Sequence, residues 1–312
     1  MRVLIVASYN KTFFAPFIVE QVEALRKQDC EVDFFGLQGK GAKGYLKNLS
    51  GLKQKIKEWS PDIIHAHYGL SGLLANLQRR IPVVTTYHGS DINDNKAFRF
   101  SKLAMHLSAY NIFVSKANAD KAHLRHKAII LPCGINLDDY PIVAKQEARR
   151  EMQLDATKKY VLFAGAFDNY VKNAPLAQEA VKLLNGVELV ELKGYNRRQV
   201  ALLMQAVDAF LLTSFTEGSP QVIKEAMACG CPIVSVDVGD VKERIEGISG
   251  CYVASERTPD CIAEWLQIAL QFEGPTTGRE KIVLDKLDND IIARKLVKIY
   301  EQTCNIKEMN HA

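Results

Sequence analysis

Two parallel-sheet α/β units in tandem are predicted by three observations. Short apolar runs at residues 3–7, 32–35, 63–66, 83–87, 112–114 and 129–131 alternate with helix-period segments. A second series, at 160–164, 187–191, 209–212, 233–236 and 250–253, repeats the pattern. Between the two, Leu137-Asp138-Asp139-Tyr140-Pro141 breaks the alternation and puts a hinge at residues 139–144. The expected domains are therefore 1–143 and 144–289, with a last amphipathic helix from about 290 to 312. A chain of 312 residues, 47% hydrophobic and 24% charged, is long enough for two cores.

The first run, 3–7, is read as a buried strand. It is too short, and too soon interrupted by Ser8-Tyr9-Asn10-Lys11, to be a signal peptide or a membrane span. The seven cysteines are scattered, and only Cys229 and Cys231 are close, without accompanying ligands. Free thiols in a reducing cytoplasm fit this usage. Residues 1–143 carry a net +7 and the remainder −3. That asymmetry suits an anionic partner such as phospholipid or an acceptor diphosphate, and no nucleic-acid module is present.

The stretch at 213–232, Thr-Ser-Phe-Thr-Glu-Gly-Ser-Pro-Gln-Val-Ile-Lys-Glu-Ala-Met-Ala-Cys-Gly-Cys-Pro, follows an apolar strand at 208–212. Ser219 is expected as an N-cap with Pro220 in the first helical turn, and Gly230 and Pro232 as the stop. At 100° per residue Val222, Ile223, Ala226 and Met227 share a face, while Gln221 and Glu225 point away from it, Glu225 toward a cleft. Strand, loop and helix N-terminus together form a place for anions and hydroxyls.

Glu217-Gly218-Ser219-Pro220 followed by Glu225-Ala226-Met227-Ala228 resembles the signature of the retaining family 4 (group 1) glycosyltransferases. The resemblance implies a GT-B fold, two Rossmann-like domains facing across a cleft, with a nucleoside-diphosphate sugar held by the second. It implies roles for particular residues. Glu217 accepts hydrogen bonds from sugar hydroxyls, and Glu225 holds the ribose. Gly218, Ser219, Pro220, Gln221 and Val222 line the donor phosphate and sugar. Gly194 and Tyr195 belong to the segment that reads the nucleobase edge. Gly165 and Lys172 follow the first strand of the second domain, Lys172 serving as the phosphate cation. Where the family places an arginine just after the glycine this chain has Ala166, and the lysine falls one residue later, so either Lys172 acts alone with backbone amides or a residue such as Arg197 or Lys193 supplies the second charge.

In the first domain His88-Gly89-Ser90-Asp91 closes a buried strand and resembles the family segment whose histidine contacts the donor sugar or reaction centre. His88, Lys172 and Glu217 are thus the expected catalytic residues, Asp91 an orienting or acceptor-side group. His65 and His67 lie two apart on one strand end and are read as packing residues that also reach the acceptor. Residues 39–59 combine a Gly- and Lys-rich loop with an apolar helical stripe, Tyr45, Leu46, Leu49, Leu52, Ile56 and Trp59, interleaved with Lys47, Lys53, Lys55 and Lys57. Such a segment fits either an anionic membrane surface or ordinary packing on a sheet. Asp288-Asn289-Asp290 is read as a helix start and not a metal motif, so neither a metal nor a cofactor is expected.

The resulting expectation is a retaining, metal-independent transferase, cytoplasmic or peripheral on the inner membrane face. It would move sugar, from a UDP-sugar above all, to a saccharide or lipid-linked acceptor in bacterial surface-polysaccharide synthesis, the chain looking closest to transferases of teichuronic acid or capsule synthesis. Two alternatives stay open: a nucleotide-sugar epimerase of the same fold, and a non-catalytic sugar-nucleotide-binding subunit of a polysaccharide assembly complex.

Overall fold

In the computed structural model the described residues are 1–123 and 126–309, the last four of these without their side chains. They form two compact units, Met1–Gly134 together with the terminal helix from Asn289, and Ile135–Asp288. In the first unit the chain runs β1 (Arg2–Ser8), α1 (Pro16–Arg26), β2 (Glu31–Leu37), α2 (Gly41–Leu46), α3 (Leu49–Trp59), β3 (Ile63–His67) and α4 (Gly69–Asn76). It continues through β4 (Val83–Tyr87), α5 (Ser90–Asn93), α6 (Asn95–Leu107), β5 (Tyr110–Phe113), α7 (Lys116–Ala122) and β6 (Ala128–Ile130). These strands make one six-stranded parallel sheet in the order β2-β1-β3-β4-β5-β6.

The second unit runs α8 (Lys145–Glu151), β7 (Lys159–Phe163), α9 (Ala174–Lys182), β8 (Val187–Glu191), α10 (Arg197–Ala206), β9 (Ala209–Leu212) and α11 (Gln221–Ala228). It ends with β10 (Ile233–Val236), α12 (Val241–Ile245), β11 (Cys251–Ala254), α13 (Pro259–Ala269) and α14 (Gly278–Leu284). Its five-stranded sheet is also parallel, ordered β11-β10-β9-β7-β8. Both sheets are buried on two faces, which is why the strands read as continuous apolar runs and not as alternating ones. Along β1, Val3 and Ile5 pack into one layer with Ile18, Val22 and Leu25 of α1, while Leu4 and Val6 pack into the other with Leu52 and Ile56 of α3.

The final helix, α15 (Asn289–Met309), lays Ile292, Leu296, Ile299 and Tyr300 into the Val3 and Ile5 layer of the first unit. Residues 310–312 of the helix expected to about 312 lie outside the described residues.

The boundary differs from the one expected at 143/144. It falls at Gly134–Ile135, and the return crossing lies beside it: Ile135 N–H donates to Leu287 O at 2.9 Å, and a Cβ on Gly134 would meet Asn289 Oδ1 at 2.4 Å. The expected hinge residues are instead anchored in the second unit. Arg279 donates to the carbonyls of Tyr140 and Leu137, Val143 N–H donates to Gln205 Oε1, and the Tyr140 side chain is buried.

The apolar stripe at 45–59 is not one helix either. Asn48 ends α2 by donating to the carbonyls of Gly44 and Tyr45, and α3 then buries Leu52 and Ile56 against the sheet while Lys55 pairs with Asp33. Its apolar face is therefore core and does not look toward a membrane. Among the described residues no helix is long and apolar enough to cross one.

Because Leu296 is buried in the first unit, Leu296→Ala is expected to destabilise that unit by about 2–5 kcal/mol, through lost transfer energy plus a cavity. The exposed neighbour Lys298→Ala is expected to stay within about 0.5 kcal/mol of wild type. Urea unfolding of the two variants measures the contrast.

Candidate active site

In an open parallel sheet the ligand crevice opens at the carboxyl ends of the strands where the strand order reverses, and in the second unit that point lies between β7 and β9. The loop after β7 carries Gly165 and Lys172, and the loop after β9 carries Thr213 to Pro220. The two loops are laced together: Thr213 Oγ1 donates to the carbonyls of Lys172 and Asn173 at 2.9 and 3.0 Å, and Phe215 N–H donates to Val171 O. Lys172 Nζ then donates to Glu217 Oε1 at 2.8 Å, both side chains being largely buried. Gly165 is needed for this, since a Cβ there would stand 2.9 Å from Lys172 Cγ.

A second turn supports the Glu217 loop from below. Gly239 has φ +62° and lies against Gly218, whose carbonyl oxygen a Cβ on Gly239 would approach to 2.6 Å. The next residue, Asp240, accepts from Ser219 Oγ and from Arg244 Nε, both at 2.8 Å. Ser219 is accordingly not the N-cap; Pro220 occupies that place, and the serine hydroxyl fixes the loop to Asp240. The far end of α11 closes as a Schellman motif: Cys231 N–H bonds Ala226 O, Gly230 N–H bonds Met227 O, and Gly230 takes φ +64°.

Glu225 turns away from the apolar face of α11 into a polar pocket of its own unit. Burial pushes its carboxyl above the ordinary range, opposed by the Arg197 guanidinium, the Tyr140 hydroxyl, Lys224 and Lys172. Arg197 bonds Asp139 Oδ2 at 2.6 Å. Of the two residues considered for the second positive charge, Arg197 is therefore in the neighbourhood of Glu225, whereas Lys193 pairs with the exposed Asp168. Lys224 is fully buried, with Nζ donating to Gln221 Oε1 at 3.2 Å. Val222 is partly exposed beside it. Gly194, at φ +81°, turns the chain after β8 and leaves Tyr195 exposed.

In the first unit, described by itself, His88 follows β4. Asp91 holds the turn by accepting from the N–H groups of His88 and Gly89 at 3.0 Å and from Gly69 N–H at 2.9 Å. Burial raises the Asp91 carboxyl to about 6 in spite of these donors. His67, fully buried on β3, has Nδ1 at 3.0 Å from His88 Nε2, while its own Nε2 meets no partner among the described residues. A buried bare nitrogen costs less than a buried unpaired N–H. His67 therefore carries its proton on Nδ1 and donates to His88 Nε2, which leaves His88 with its N–H on Nδ1, the side where Cys133 Sγ lies at 3.9 Å. His65 bonds Tyr300 Oη and Thr86 Oγ1 at 2.6 and 2.7 Å, so this histidine ties the terminal helix to the sheet.

Lys172, Glu217, Gly165 and the start of α11 are thus brought together, with Glu225 and Arg197 in the same unit. Sequence reasoning missed Asp139, Tyr140, Asp240, Arg244 and Arg279, which act through contacts distant along the chain. The Asp288-Asn289-Asp290 stretch sits at the start of α15 with Asp290 near Lys27. Among the described residues no cluster of three or more His, Cys, Asp or Glu could hold a metal ion.

His65 and His67 are held neutral by burial, His67 down to about 3, whereas both take a proton near 6.5 when unfolded. Stability from them is full above about pH 6.5 and is lost as pH falls. Asp91 has the opposite sign, since its raised value favours the folded state at lower pH. His67 alone is expected to cost the first unit about 2 kcal/mol between pH 7 and pH 5, so the first unit loses stability over that interval. In His67→Phe the pH-dependent loss is expected to be smaller by about that amount. Chemical unfolding of both proteins at the two pH values checks this.

Residues 15–139 match the profile of Glycosyltransferase Family 4, and residues 156–271 that of Glycosyl transferases group 1. TuaC of Bacillus subtilis (strain 168), described as a teichuronic acid biosynthesis glycosyltransferase, is 27% identical over 60% of this chain, and the chain spans 56% of that protein's length. An Escherichia coli UDP-Gal:alpha-D-GlcNAc-diphosphoundecaprenol alpha-1,3-galactosyltransferase is 21% identical, with 65% of each chain covered. Among solved structures, Anabaena Alr3699/HepE in complex with UDP superposes with a TM-score of 0.76 at 15% identity, covering 97% of this chain and all of that one. The two parallel-sheet units are of the GT-B class, the first carrying a Glycosyltransferase Family 4 domain and the second a Glycosyl transferases group 1 domain.

Proposed function

We propose that this protein is a retaining, metal-independent transferase that moves a sugar from a nucleoside-diphosphate sugar, UDP being the favoured carrier, to a hydroxyl of a cell-surface polysaccharide or its lipid-linked precursor. The observation that carries the reading is the Lys172–Glu217 pair at the β7–β9 switch point beside the N-terminus of α11. A diphosphate leaving group needs positive charge, which Lys172, Arg197 and the first-turn N–H groups of α11 supply. A sugar needs acceptors for its hydroxyls, which Glu217 supplies, and Glu225 does the same for the ribose. Gly218, Ser219, Pro220, Gln221 and Val222 line phosphate and sugar, and Gly194 and Tyr195 meet the base.

The acceptor hydroxyl attacks on the face the diphosphate leaves, and the departing phosphate oxygen takes the acceptor's proton, so no side-chain base is required. Lys172 stabilises the charge developing on that oxygen. His88, which matches the family histidine by resemblance, contacts the reacting sugar in this reading, with His67 beside it orienting the ring. The carrier assignment is supported by the neighbour solved with UDP, and the lipid-linked acceptor by the relative whose name specifies a diphosphoundecaprenol acceptor. The metal-independent part rests on the cations above and on the use of Asp290 beside Lys27.

Lys172→Ala and Glu217→Ala are each expected to lower kcat/KM for sugar transfer by about 10²–10³-fold. Near-normal turnover removes the residue from the mechanism. A UDP-sugar is expected to raise the wild-type melting temperature more than guanosine or adenosine diphosphate sugars do, with or without magnesium. Turnover abolished by EDTA and restored by magnesium, or an inverted anomer in the product, overturns the corresponding part of the reading.

A further inference from the structure

Helix α6 buries Ser101, Ala104 and Met105 and turns the opposite side outward. Phe100, Leu103 and Leu107, spaced i, i+3 and i+7, are 36%, 55% and 48% exposed. Alongside it α4 carries Leu70 and Leu73, with Leu77 just past its end, in a second row of the same spacing. Gly72 of α4 abuts Thr85 of the sheet, where a Cβ would lie 2.5 Å from its methyl group. The leucines, rotated roughly 100–160° from Gly72, therefore face outward. On the other flank Leu46 of α2 is 53% exposed, and with Ala42, Tyr45 and the three leucines it borders an apolar groove of about 240 Å³.

The charge on these elements has one sign. Helices α2, α4 and α6 contain no Asp or Glu, while Lys43, Lys96, Arg99, Lys102 and His106 are exposed on α2 and α6. A surface that joins rows of exposed and partly exposed aliphatic side chains to a predominantly basic fringe, with Asp94 its one exposed acid at the start of α6, matches a bilayer with anionic headgroups, because acyl chains take the apolar rows and phosphates the fringe. A protein partner of matching acidity is a less complete fit, since the apolar rows run along two helices whose exposed charges are basic apart from Asp94.

We propose that the outward face of α4 and α6, bordered by α2, is a docking surface for an anionic lipid bilayer. It rests on the reading that the acceptor is lipid-linked, and it replaces α3, whose apolar side is core, as the membrane-facing element. Neither signal is sufficient alone: charge brings the protein to the surface and Phe100, Leu103 and Leu107 hold it there.

The test is sedimentation of the full chain with vesicles rich in phosphatidylglycerol and with vesicles of phosphatidylcholine alone, without donor. Binding to the anionic vesicles at least about 10-fold stronger, weakened by salt, is expected. Leu103→Ser with Leu107→Ser, and separately Arg99→Glu with Lys102→Glu, are each expected to reduce that binding about 10-fold or more. Both are surface changes, and circular dichroism is expected to remain that of wild type. Transfer to a water-soluble acceptor analogue is expected to be unchanged in both, so loss of vesicle binding and loss of catalysis are read separately. Absence of binding to anionic vesicles overturns the proposal. So does an equal loss in the charge-matched Lys53→Glu, Lys57→Glu variant of α3. A dimer in light scattering that dissolves in Leu103→Ser with Leu107→Ser makes a second copy the occupant and likewise overturns it.

Discussion

The ion pair between Lys172 and Glu217 is the contact on which the second unit's candidate site depends. Two largely buried charges at 2.8 Å stabilise each other, and either one alone in that position would be strongly unfavourable. The surrounding construction serves the pair. Gly165 leaves room for the lysine stem, Thr213 clamps the turn that carries it, and Gly239 lets the opposite loop descend far enough for Glu217 to reach. On the proposed reading, the pair holds both residues in place until sugar hydroxyls and diphosphate compete for them.

Around that contact the unit recruits residues from distant parts of the chain. Arg279 on α14 donates to Leu137, Tyr140 and Ala228, joining the segment after the crossing to the end of α11. That joint places the Tyr140 hydroxyl on Glu225 and Asp139 on Arg197. A segment that looks like a hinge in the sequence is thus one wall of the pocket. Its turn-forming composition reflects the tight path it follows, not freedom to move.

The strands were legible to within a few residues because parallel strands buried on both faces leave continuous apolar runs, a signal that needs no knowledge of partners. Glu217 and Glu225 were singled out from the string that leads into α11, and Lys172 from the loop after β7; the structure pairs Lys172 with Glu217 and places Glu225 in the same unit. What was not legible required two distant segments at once. Ser219 has the composition of an N-cap, yet Asp240 claims its hydroxyl. Lys224 carries no distinguishing local signal, yet it is fully buried with Gln221 one turn back. The stripe at 45–59 has helical spacing throughout, yet Asn48 finds carbonyl partners that end the first helix. Each is a case where a side-chain contact outweighs a local preference worth about 1 kcal/mol.

On the proposed reading, charge balance bears on Ala166, where the family resemblance implies an arginine. The polar residues gathered near α11 are Lys172, Arg197 and Lys224 against Glu217, Glu225 and Asp139, so with every group ionised the site is neutral before a donor arrives. On the proposed reading a diphosphate would add negative charge to a place with no cationic surplus, and two features would offset it. The N–H groups at the start of α11 contribute positive potential without an ionised side chain. Burial raises the Glu225 carboxyl above its ordinary range, and on the proposed reading an arriving anion would raise it further, easing the approach of negative charge without a second arginine.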